Sequence, residues 1–96
     1  KSQKSEQAVK TFKQLVKEDD KDFVAWTELG NLYFEKNPKD AQEAYQKALE
    51  ARPDFFPALL NFGKLQIVQK NYDSSIEFLT KAVTLEPASA DANHYL

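Results

Sequence analysis

The 96-residue chain has no cysteine, no methionine, two glycines and one histidine. Without cysteine there are no disulfides, thiolate metal ligands or cysteine nucleophiles. One histidine cannot supply the four nitrogen or sulfur ligands of a structural zinc site. Two glycines cannot build a glycine-rich phosphate loop. No run approaches the ~18 apolar residues of a membrane span. The opening segment, Lys1 to Asp22, lacks the apolar core of a secretory signal and does not begin with Met. It therefore reads as an excised fragment or a mature chain. Neither a cofactor nor a bound metal is expected, and most enzyme classes are excluded.

What is present is a soluble balance, 42% apolar and 29% charged, with a net charge of −2. Residues 1–22 carry six Lys and five acids, and the later segments are mildly acidic. A duplex-binding protein needs a clustered basic footprint to displace counterions, and none is visible. Neither a nucleic-acid nor a membrane partner is expected. The balance favours a cytoplasmic location and does not exclude a secreted or periplasmic one.

The chain repeats itself. Ala25 to Ala58 and Leu29-Gly30 to Phe62-Gly63 are each 33 residues apart. Later in the unit the spacing is 34: Ala41 matches Ser75, Tyr45 matches Leu79, Ala48 matches Ala82 and Pro53 matches Pro87. Such a period marks stacked supersecondary units. The whole chain then reads as one helical-repeat domain, 1–96. It holds a half repeat (1–22), two repeats (23–55 and 56–89) and a partial repeat (90–96).

Each unit reads as two helices. Trp26, Leu29, Gly30 and Tyr33 fall on one helical face, as do Ala41, Ala44, Tyr45, Ala48 and Leu49. Asn37-Pro38 suits a helix start. Pro53 and Pro87 stop the second helices, because proline disfavours helical geometry in the residue before it. Asp54 and Ser89 are read as caps of the helices that follow. The expected helices are 4–18, 23–36, 38–51, 55–69 and 72–85, with a partial sixth from about 89.

The pattern Trp26-x-x-Leu29-Gly30-x-x-Tyr33, Ala41-x-x-x-Tyr45-x-x-Ala48, Pro53 resembles the tetratricopeptide repeat family. Leu59-x-x-Phe62-Gly63, Ser75-x-x-x-Leu79-x-x-Ala82, Pro87 repeats it, with Gln66 in place of the Tyr33-type aromatic. The resemblance implies an all-α fold, a right-handed superhelical solenoid of antiparallel helix pairs, here about 2.5–3 repeats. It also implies a non-enzymatic scaffold for protein–protein interaction. In that family the concave face is lined mainly by first helices and often holds an extended peptide.

The candidate contacts are the first-helix residues set away from the packing face. These are Asn31 and Phe34 in one unit and Leu60, Asn61, Lys64, Ile67 and Val68 in the next. Amides suit a peptide backbone, lysine a carboxylate, and the apolar residues a peptide's side chains. Thr27 and Glu28 are placed on the same side. Some relatives clamp the C-terminal carboxylate of chaperones with Lys, Asn and Arg. Here Thr27 stands where such a clamp wants Lys, and the third of the first helices, cut short, offers His94. No catalytic residue is assigned. His94 has Asp91 three residues before it but no placed nucleophile. Trp26, Tyr33 and Tyr45 read as core, and Asp19-Asp20 with Asp22 as a turn. The partner class is a protein or peptide, with self-association through uncapped terminal helices. The alternative is a purely structural segment of a longer array whose ligand site lies elsewhere.

Overall fold

The computed structural model describes residues 2–85. They form α1 (Ser2–Glu18), α2 (Phe23–Tyr33), α3 (Pro38–Ala51), α4 (Phe56–Val68) and α5 (Tyr72–Leu85), with no strand among the described residues. The chain divides into two compact units, Lys1–Pro53 and Asp54–Leu96. The expected sixth helix, the Ser89 cap and His94 lie outside the described residues.

In the first unit α2 packs against both α1 and α3. The turn into α2 is set by aspartates. Asp19 Oδ1 accepts from the Lys21 amide at 3.1 Å, and Asp22 Oδ1 accepts from the Ala25 amide at 3.1 Å, which caps the helix. Trp26 Nε1 donates to the Asp20 carbonyl at 2.8 Å, so this half-buried indole also ties down the turn. The core is Val16, Ala25, Leu29 and Ala44, with Val9, Phe12, Trp26 and Tyr33 packed against it. Phe12 and Val16 are thus used inside the unit, and Leu15 is the large apolar residue of α1 left exposed.

The expected end of α2 at residue 36 is three residues too late. Pro38 holds Asn37 out of helical geometry, at φ −132° and ψ 72°, so the chain leaves the helix before it. Asn37 occupies the cap position of α3, but its side chain makes no capping bond there.

In the second unit α4 packs against α5. The cap position of α4 is Phe55, not Asp54, because Pro57 fits the first turn two residues beyond it. The extra residue of the second repeat goes into α4, which has 13 residues against 11 in α2, and the turn from α4 to α5 is one residue shorter than that from α2 to α3. In the α4–α5 turn Lys70 adopts φ 64°, the Lys70 amide donates to the Ile67 carbonyl at 3.0 Å, and the Asn71 amide donates to the Gln66 carbonyl at 2.8 Å. This is the left-handed closure that glycine usually provides.

The α2–α3 and α4–α5 pairs each hinge on a glycine. A Cβ on Gly30 would collide with the Tyr45 ring, and one on Gly63 would come within 2.7 Å of Leu79 Cδ2. Tyr45 is wholly buried and Leu79 is 1% exposed, so neither has space to retreat. Beside Gly63, the buried Ser75 hydroxyl donates to the Gly63 carbonyl at 3.0 Å, and the Phe62 and Phe78 rings meet at 4.9 Å. Gly30→Leu and Gly63→Leu are each expected to destabilise the fold by about 1–3 kcal/mol through overpacking. This outweighs the helix-propensity gain of up to ~1 kcal/mol. Chemical denaturation checks it, and unchanged midpoints for both variants would remove the glycines as packing sites.

Candidate functional site

The two glycines set the register of the candidate contacts. Asn31 and Lys64 each directly follow the glycine on which the second helix rests, at equivalent places in α2 and α4. In the first unit Asn31 is exposed and Phe34 is half-buried, in the turn just after α2. Asn31 is anchored from inside, since the Tyr45 hydroxyl donates to Asn31 Oδ1 at 2.6 Å. Burial raises the Tyr45 hydroxyl well above the ordinary phenol range, and the negative charge of Glu28 raises it further. The hydroxyl therefore keeps its proton and stays a donor across the physiological range.

Thr27 differs from the expectation. It is 4% exposed, and its hydroxyl donates to the Phe23 carbonyl at 2.8 Å, one turn back on its own helix. It is buried structure and does not present a contact.

In the second unit Asn61, Lys64 and Ile67 are half-buried and Val68 is 61% exposed. All lie on one side of α4, with Asn61, Lys64 and Val68 three, four and seven residues apart and Ile67 three beyond Lys64. Leu60 shares that side in sequence but is only 7% exposed, so it forms the buried margin of the stripe. The helix is apolar on more of its circumference than a surface helix. Seven of its thirteen residues are buried, and a two-faced pattern places such borderline positions poorly. Gln66, in the place of Tyr33, is 4% exposed. Its Nε2 donates to Ser74 Oγ at 2.7 Å, while its Oε1 has no partner among the described residues.

Two concavities in the first unit had no signal in the sequence. One, about 370 Å³, is lined by Asp20, Lys21, Trp26, Lys47, Glu50 and Ala51. The other, about 510 Å³, lies where α1, the end of α2 and the start of α3 meet, with Val9 and Tyr33 among lysines and acids of both signs. Among the described residues, no three His, Cys, Asp or Glu side chains gather as metal ligands would. No helix among them is long and apolar enough to cross a membrane.

Against known families, residues 35–96 match the model of the tetratricopeptide repeat. The chain belongs to the tetratricopeptide repeat family. Among solved structures it is similar to MamA, with a TM-score of 0.89 and 22% identity over 95% of this chain and 54% of that one. The chain thus spans about half the length of MamA. It is also similar to the TPR2B domain of yeast Sti1 in its pHsp70 complex. There the TM-score is 0.83, with 21% identity over 98% of this chain and 78% of that one. At these identities the likeness is one of fold. No curated protein matches the chain.

The buried tyrosine gives the repeat a measurable pH dependence. Its ionisation is raised in the folded state, so its contribution to stability is fully present below the unfolded phenol value of about 10. That contribution is lost as the pH rises beyond this toward the raised folded value. Wild-type protein is expected to lose stability above about pH 10 more steeply than Tyr45→Phe. Denaturant midpoints measured on both across that range check this, and parallel curves would count against it.

Proposed function

We propose that this chain is a non-enzymatic interaction module that takes an extended peptide along the outward faces of its first helices. In tetratricopeptide repeat superhelices these faces line the concave side. The observation that carries the reading is the shared register of Asn31 and Lys64. Each follows a glycine that fixes its helix against the next, so a polar group stands at the same place in both repeats. Asn31 and Phe34 are the contacts of the first unit. Asn61 and Lys64, with Ile67, Val68 and the margin formed by Leu60, are those of the second. Amides and a lysine beside apolar side chains suit a peptide that is acidic or ends in a carboxylate. The similarity to a Sti1 domain in complex with pHsp70 supports a protein or peptide as the partner class. Thr27, buried on its own helix, argues against a full lysine–asparagine–arginine clamp for chaperone tails.

Lys64→Glu is expected to weaken acidic peptides by about tenfold or more, the loss of one charge-assisted hydrogen bond. Lys10→Glu, on α1, should leave affinity unchanged. Titration of a peptide library against both variants decides. Equal losses for both, or binding mapped to α3 and α5, would refute the reading in favour of a segment that only extends a longer array.

Self-association is the second expectation. Tyr72 and Ile76, one turn apart on α5, are 56% and 58% exposed, and such apolar exposure favours burial against another surface. Of the uncapped terminal helices expected to associate, α1 leaves Leu15 exposed, and the partial helix at the far end lies outside the described residues. Sedimentation from micromolar to millimolar concentration should show association that Ile76→Lys reduces. A strict monomer throughout would count against it.

A further inference from the structure

We infer that the chain associates head to tail, the exposed ridge of α5 on one copy seating in a groove between α1 and α3 of the next. The inference rests on the self-association reading and gives it a receiving surface. The groove lies wholly within the first unit. One part is the concavity of about 510 Å³, where Val9, Leu32 and Tyr33 are half-buried. A second hollow of about 300 Å³ adjoins it, since Lys13, Tyr33 and Asp40 line both. Leu29 and Tyr33, which line this side of α2, each stand two residues from Asn31 and so face away from it. The groove is thus separate from the proposed peptide face. Its sides differ in charge. α1 brings Lys10 and Lys13, with Glu6 a turn before Lys10, whereas α3 brings Asp40 and Glu43. All of these charged side chains are exposed.

The ridge has the matching character. Tyr72 and Ile76, one turn apart on α5, are more than half exposed. Each is followed by an exposed acid, Asp73 and Glu77, and these form one flank. The other flank is closed by Ser75 and Leu79, both buried in their own unit. The helix therefore offers an apolar row with negative charge along its open side. Seated in the groove, Tyr72 and Ile76 cover Val9 and Tyr33, and the acids turn to Lys13. The reversed seating would set those acids against Asp40 and Glu43, so like charges select against it. Two different surfaces meet in this arrangement. Each new complex keeps one groove and one ridge unfilled, and growth stops at a dimer only if the rotation closes a ring.

The experiment mixes two variants at exposed positions, where the helices tolerate a change of side chain. Ile76→Lys spoils the ridge and keeps the groove, and Lys13→Glu does the reverse. By sedimentation equilibrium, Ile76→Lys alone is expected to associate about tenfold more weakly than wild type, the loss of one buried aliphatic contact. Lys13→Glu alone should lose about fivefold, the size of one reversed surface ion pair. In an equal mixture the intact ridge of one variant meets the intact groove of the other. A mixed pair should then form with affinity within about twofold of wild type. It should stop at a dimer, because its remaining ridge and groove are the spoiled ones. A mixture no stronger than the two variants alone would overturn the inference, as would Lys13→Glu associating like wild type. Either result, with wild type still associating, leaves self-association standing through another pair of surfaces. A strictly monomeric wild type would sink both.

Discussion

The α2–α3 and α4–α5 pairs each depend on a large side chain of the second helix laid directly on a glycine of the first. The backbone there is bare, so Tyr45 and Leu79 approach more closely than any Cβ would permit. Interiors are packed like crystals, and one such contact fixes the spacing and rotation of both helices. The small residues Ala41, Ala48, Ser75 and Ala82, at most 2% exposed, accept the same close approach along α3 and α5. Glycine inside a helix costs about 1 kcal/mol, and the contact it admits offsets that cost.

The same constraint organises the outer surface. Once the glycine face is inside, the next residue in sequence turns outward, so Asn31 and Lys64 inherit their positions from packing that they do not share. The candidate site is in this sense a by-product of the core. The second helix contributes to it only through the tip of Tyr45.

The fold was legible because glycine, alanine and aromatic residues recur at one spacing, and each type has a distinct packing meaning. Helix limits shifted most where proline acts at a distance, as at the end of α2, and by a residue where a cap position carries no capping side chain, as at Phe55. The surface was harder to read. Thr27 and Leu60 sit at the border of their helical faces, and period alone does not say how wide an apolar face will be. The Tyr45 hydroxyl was hidden for another reason. A tyrosine in register with a leucine looks like core, and its polar tip finds a partner only once the helices are placed. The inverse case is Gln66, a polar residue in an aromatic register that is buried with one acceptor unmatched.

Among the described residues, the helix pairs in extensive contact within each unit are adjacent in sequence: α1 with α2, α2 with α3, and α4 with α5. Such pairs close over turns of only a few residues, so little chain entropy is lost before contacts form. A topology of this kind belongs to the fast end of folding rates. It also lets a hairpin open and reclose as a unit, below the free energy of global unfolding. Amide protons of α4 and α5 would then exchange together, at a rate set by their own pairing.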